Sequence, residues 1–142
     1  MNDSPNFLKT INLCFSYKND VVLKNVNLSL QQGEITTLLG PSGSGKTTLL
    51  NAIAGLITPS SGEIYFKDSI YLNQKINLSP SKRKMAMVFQ EDALFPHMTV
   101  SENILFGMSK SLKHMLKIKR MNELLEMVSL KSFANKYPHE LS

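Results

Sequence analysis

The chain has 142 residues, 42% of them hydrophobic and 19% charged, with a formal net charge of +5, which fits one packed core and excludes a disordered tail. The longest apolar run, Met85–Phe89, cannot span a bilayer, and Met1–Asn6 has neither the basic nor the apolar region of a secretory signal. Cys14 is the one cysteine, and His97, His114 and His139 lack metal-ligand spacing, so a reducing, cytoplasmic setting is expected.

In chain order, Phe7 to Tyr17 alternates as a half-buried strand, with Phe7, Ile11, Leu13, Phe15 and Tyr17 expected on one face. Lys18-Asn19-Asp20 is turn material, and Val21 to Leu30 reads as a second strand with Val22, Val26, Leu28 and Leu30 on one side. Ile35 to Leu39 reads as a short apolar strand. Gly40 to Gly45 is a small-residue loop, and Lys46 to Leu56 runs helically through Leu49, Leu50, Ile53 and Leu56. Glu63 to Phe66 reads as a strand, Asp68 to Pro80 as irregular, and Met85 to Phe89 as a buried strand. From Thr99 the periodicity is helical, and Met121, Leu124, Leu125 and Val128 form an amphipathic stripe. This order predicts a mixed α/β domain with a helical appendage.

The sharpest chemical signal is Gly40-Pro41-Ser42-Gly43-Ser44-Gly45-Lys46-Thr47, which satisfies G-x-x-x-x-G-K-[ST] without a mismatch. Its glycines let successive backbone N–H groups turn inward around an oxyanion. The helix that follows adds unsatisfied N–H groups and its positive dipole end. Lys46 is expected to reach the β- and γ-phosphates and the Thr47 hydroxyl to ligate Mg²⁺. An accidental glycine-rich turn is the plain alternative, but the flanking apolar strand and amphipathic helix supply the context such a loop requires.

Beyond the loop, the chain resembles the nucleotide-binding subunit of ATP-binding cassette (ABC) proteins along essentially its whole length. Leu23–Leu28 with Gly33-Glu34 is similar to the family's approach to the phosphate loop. Ala54-Gly55-Leu56 and Pro59–Ile64 are similar to the segment after its helix. Met87-Val88-Phe89-Gln90, Leu94–Val100 and Glu102-Asn103-Ile104 resemble the Q-loop region, and Tyr137–Ser142 the lead-in to the Leu-Ser-Gly-Gly-Gln signature. The stretch Leu94-Phe95-Pro96-His97 is similar to the importer branch, which includes ferric iron, polyamine and sulfate uptake ATPases.

The resemblance implies an α/β, P-loop NTPase fold of the ABC nucleotide-binding type, incomplete here. It would comprise an antiparallel β subdomain, the phosphate-loop strand and helix, and the start of a helical subdomain, with residues 1–98 as core region and 99–142 as helical part. It implies ATP and Mg²⁺ as ligands, held by Tyr17, Gly40, Pro41, Ser42, Gly43, Ser44, Gly45, Lys46, Thr47, Thr48, Gln90 and Ser142, with Thr47 and Gln90 on the metal. Tyr17 would stack on adenine, a flat π-face suiting a purine ring, where the plain reading is a strand aromatic in the core. Gln90 would touch Mg²⁺ or the attacking water, where a lone glutamine reads as a strand-end hydrogen bonder. Ser142 would meet the γ-phosphate of an opposite subunit.

The implied partners are a transmembrane permease and, in the complete protein, a second copy closing head to tail. The chain would then sit on the inner face of the cell membrane. A soluble ABC ATPase acting on nucleic acid or ribosomes is the alternative, with Lys110–Arg120 as its footprint. Five bases in that stretch account for the whole charge excess, leaving 11 basic against 11 acidic residues elsewhere. Leu112, Met115 and Leu116 interleave them without aromatic residues for base stacking, so a solvated helix face is expected and no nucleic acid. A P-loop kinase or GTPase outside the family would leave the Q-loop region and Tyr137–Ser142 unexplained.

The family's pattern continues into a Walker B strand ending in Asp and Glu, followed by a switch His. Of Asp3, Asp20, Asp68 and Asp92, none ends an apolar strand. The expectation is therefore an N-terminal piece, cut two residues into the signature as a truncated or split frame, with no catalytic residue. Such a piece is expected to fold poorly alone and to hydrolyse ATP negligibly.

Overall fold

The computed structural model describes residues 7–90 and 93–141, and these fall into two units, Met1–Met87 and Val88–Ser142. In the first, β1 (Leu8–Tyr17), β2 (Asp20–Leu30), β3 (Ser61–Phe66) and β4 (Ser69–Leu72) form one antiparallel sheet of order β2-β1-β3-β4. Helix α1 (Lys46–Ala54) packs Leu49, Ala52 and Ile53 into a core shared with Leu13, Phe15, Leu23 and Ile64 of the sheet.

Simple alternation fails in β1 for an identifiable reason. Thr10 pairs with Leu28 and Leu13 with Val26, so the strand carries an extra residue between them. Asn12, at φ 46°, occupies that bulge, a conformation Asn tolerates better than most residues. The inward face is therefore Leu8 and Thr10 before the bulge and Leu13 and Phe15 after it, so of the predicted face Leu13 and Phe15 are buried, whereas Phe7, Ile11 and Tyr17 are not. A second left-handed residue, Asn25 at φ 50°, shifts β2 in the same way and makes Leu23 its most buried residue. Asn27 bridges the two bulges, accepting from the Asn12 amide at 2.9 Å and donating to the Asn25 carbonyl at 2.9 Å. The Thr10 hydroxyl, though buried, donates to the Val26 carbonyl and accepts from the Leu28 amide.

Two predicted strands are absent. Residues 34–40 join no ladder, and Ile35 is 99% exposed. An extended segment becomes a strand only when a neighbour takes up its N–H and C=O groups, and no described strand pairs with it. Met85–Phe89 likewise forms no strand, and Val88 is 96% exposed rather than buried. Conversely, the segment expected to be irregular contains β4, which folds back on β3 through a turn at Lys67-Asp68 and buries Tyr71 and Leu72. Four residues are too few to show a period.

The second unit holds α2 (Val100–Phe106) and α3 (His114–Met127). Helix α2 opens with a capping box: the Thr99 hydroxyl accepts from the Glu102 amide, and Glu102 Oε2 accepts from the Thr99 amide at 2.7 Å. Asn103 fastens the preceding loop, donating to the Phe95 and Met98 carbonyls and accepting from the Phe95 amide. Of the predicted stripe on α3, Leu125 is fully buried, whereas Val128 is exposed just past the helix end.

The box sets a pH dependence. The Thr99 amide, then its hydroxyl, hold the Glu102 carboxyl below its ordinary range. A carboxylate so depressed contributes stability above its unfolded pKa, and that contribution is lost as pH falls through the folded value. Thr99→Ala is expected to cost about 1 kcal/mol near neutral pH. In urea titrations the Glu102→Gln penalty should be full above the ordinary carboxylate pKa and shrink as pH falls below it; a penalty independent of pH would count against the box.

Candidate phosphate-binding site

The loop between residue 39 and α1 gains its shape from glycine. Gly43 and Gly45 have φ of 78° and 87°, so the chain turns through left-handed conformations before entering the helix. At Gly45 the requirement is also steric, because a Cβ would lie 3.1 Å from the Val22 carbonyl oxygen and from Leu23 Cδ2. Only a residue without a side chain lets the start of α1 lie this close against β2. Ser44 donates its amide to the Pro41 carbonyl, closing the turn, and the Leu49 amide reaches the Gly45 carbonyl to begin the helical ladder.

Lys46 folds over this turn. Its ammonium donates to the carbonyls of Gly40 at 2.9 Å and Pro41 at 2.7 Å and to Ser44 Oγ at 3.2 Å. A positive charge is thus fixed at the loop mouth, where the first N–H groups of α1 and its positive dipole end also lie. No acidic side chain occupies the first turn of α1 to offset them. A cavity of about 350 Å³ opens beside the loop, lined by Leu23, Val26, Leu38, Pro41 and Lys46 among others.

Thr47 is exposed, and its hydroxyl makes no hydrogen bond among the described residues. A hard oxygen donor beside a phosphate cradle suits Mg²⁺, which keeps most of its waters and takes few protein ligands. Groups of three or more His, Cys, Asp or Glu that could hold a metal ion are absent among the described residues.

Tyr17 stands at the end of the β1–β2 hairpin, 53% exposed, its ring edge-on to Phe15 at 4.7 Å. It pairs with Asp20, two to three residues along β2 from the Val22 and Leu23 atoms that touch Gly45. At strand spacing this sets the hairpin end about 7–10 Å from the loop. Gln90 belongs to the second unit, exposed in a bend rather than closing a buried strand. Ser142 lies outside the described residues.

The residue that sequence reasoning missed is Arg83. Within a run of Ser-Lys-Arg-Lys it reads as solvated, yet it is only 3% exposed. Its guanidinium donates to the Ala52 and Ile53 carbonyls at 2.8 and 2.6 Å, to the Leu78 carbonyl and to Asn77 Oδ1, and lies 5.7 Å from the Tyr71 ring centre. Burial pulls its pKa down. Arg83 therefore satisfies the last carbonyls of the helix whose first turn borders the candidate phosphate site, and a cation at this C-terminal end also complements the dipole. Gly55, at φ 82°, ends α1 directly against it, since a Cβ there would sit 2.6 Å from Arg83 Nε.

A glycine turn, a lysine held over it and an amphipathic helix starting beneath it together make a P-loop, which sets the chain among P-loop nucleotide-binding proteins. A family model described as "ABC transporter" matches residues 23–142, and the chain belongs to that family. It is 46% identical over 121 residues to a probable sulfate/thiosulfate import ATP-binding protein of Chlorella vulgaris, covering 84% of this chain and 50% of that protein. To a spermidine/putrescine import ATP-binding protein of Nitrosospira multiformis it is 50% identical over 119 residues, 83% of this chain and 32% of that one. Among solved structures it is similar to the ATP-binding cassette MJ0796 in a dimeric post-hydrolysis state bound to ADP and Pi. That match has a TM-score of 0.78 and 34% identity, covering 95% of this chain and 63% of that one. The chain thus spans half or less of the length of these curated relatives.

Proposed function

We propose that this chain is the phosphate-binding segment of an import-type ABC transporter ATP-binding subunit, and that it takes MgATP at Gly40–Thr48. The observation that carries the reading is Lys46, already gathered onto the Gly40 and Pro41 carbonyls at the mouth of the glycine turn from which α1 starts. The amides of Gly43, Gly45 and Lys46 would surround the phosphates, joined by the Ser44 amide once it leaves the Pro41 carbonyl, with Ser42, Thr47 and Thr48 adding hydroxyls, while Lys46 neutralises the β- and γ-oxygens. Thr47, with Gln90 in the complete subunit, would hold Mg²⁺, which neutralises charge on the phosphates when bound. Tyr17 would present its ring to adenine.

The printed names of the relatives, import ATP-binding proteins, support import as the direction, and a transmembrane permease would be the partner. In the full-length protein two copies would close head to tail, Ser142 meeting the γ-phosphate of the opposite copy, and the pair would sit on the inner face of the membrane. Within these 142 residues no aspartate ends an apolar strand, so the reading is binding without turnover.

Titration with a fluorescent ATP analogue tests the binding half. Tyr17→Ser is expected to weaken affinity about tenfold, while Tyr17→Phe, which keeps the π-face, stays within twofold. Equal loss in both variants would remove Tyr17 from the adenine site. Release of phosphate by the purified chain at a rate abolished by Lys46→Ala would overturn the non-turnover reading, and strong preference for GTP would overturn the family-type assignment of the ligand.

A further inference from the structure

Helix α3 carries its charge at the wrong end for its own stability. Lys113 is the residue before its first turn, Lys117, Lys119 and Arg120 follow within two turns, and the first turn holds no acidic residue. Cations at a helix N-terminus oppose the dipole, and Lys113 makes no side-chain capping bond in return. Acidic residues begin only at Glu123, which pairs with Arg120 at 3.1 Å. The helix buries Leu125 on one side, yet the opposite side is not simply polar. Met115 is 82% exposed, and Leu116 and Leu112 are exposed beside it, interleaved with Lys113 and Lys119.

Exposed apolar side chains set among bases, with the helix's own positive end adding to the field, match an anionic interface that also accepts hydrocarbon. We propose that the N-terminal half of α3, with the turn at Ser109–Leu112, docks on the surface of an anionic phospholipid bilayer. Met115 and Leu116 enter the headgroup boundary while Lys110, Lys113 and Lys119 meet lipid phosphates. A single-stranded nucleic acid fits less well, because the exposed groups between the bases are aliphatic and offer no stacking plane. The docking needs no nucleotide, so its failure would leave the phosphate-site reading untouched.

Co-sedimentation of the full chain with phosphatidylcholine vesicles, with and without about 30% phosphatidylserine, tests it. Binding is expected only to the mixed vesicles and should fall steeply as salt is raised from roughly 50 to 500 mM. Each neutralised surface lysine is worth about fivefold, so Lys110→Gln/Lys113→Gln/Lys119→Gln together should weaken partitioning on the order of a hundredfold. Met115→Ser/Leu116→Ser, which leaves the charge intact, should also weaken it about tenfold. All five positions are exposed, so each variant is expected to keep α3, and circular dichroism is the control that checks it. Equal binding to both vesicle types, no binding to either, or preference for a single-stranded RNA oligomer over the vesicles would overturn the proposal.

Discussion

Replacing Lys46 by alanine is expected to weaken ATP binding about 30- to 100-fold while leaving the far-ultraviolet spectrum of the chain unchanged. A charge-assisted hydrogen bond to phosphate is worth about 1.5–3 kcal/mol, and Lys46 is positioned to make more than one. Its present partners are loop carbonyls and a serine hydroxyl at the surface, so its removal strands no buried group. The helix beneath is held elsewhere, by Leu49, Ala52 and Ile53 in the core. AMP, which lacks the β- and γ-phosphates, should lose little affinity in the same variant, and isothermal titration with the two nucleotides separates phosphate from base recognition. Lys46→Arg should not restore ATP binding, since a planar guanidinium cannot occupy the space where a compact ammonium touches three loop oxygens. ATP affinity within twofold of the parent in Lys46→Ala would remove this loop as the site.

The second large effect lies at the other end of the same helix. Arg83→Met keeps much of the volume but removes the donors that satisfy the Ala52, Ile53 and Leu78 carbonyls. Losing one partner of a buried hydrogen-bonded network costs the desolvation of whatever is left unpaired. The expected loss is about 3 kcal/mol in urea unfolding. Arg83→Lys should recover only part of that, because one ammonium cannot span acceptors at the helix end, at Leu78 and at Asn77. Since Arg83 fixes the C-terminal end of α1 and the phosphate site is its N-terminal end, ATP affinity should fall far less than stability does. A change below about 1 kcal/mol would show that solvent replaces those bonds freely.

Helix positions were legible in the chain because their signals are local. Lys46 to Ala54 carries the 3.6-residue period, and Gly45 and Gly55 mark its two ends. The glycine turn before it was legible for the same reason: its left-handed residues, Gly43 and Gly45, lie close in sequence, so its shape is written in a short run of consecutive residues. Strands were less so. The alternation of β1 read correctly as a strand, and Leu13 and Phe15 as inward, but the half before Asn12 did not, because that left-handed residue displaces the pairing register. That displacement exists only between strands.

What the sequence by itself determined is therefore the P-loop, its helix, the membership of the family that its spaced segments announce, and the basic character of α3. Only the tertiary structure decided which residues face the core, that Ile35–Leu39 and Met85–Phe89 join no ladder, and that Arg83 is buried at the end of α1. The division follows from range. A loop that turns its own N–H groups inward needs only neighbours in sequence, whereas a strand needs a partner and a buried guanidinium needs acceptors about thirty residues away.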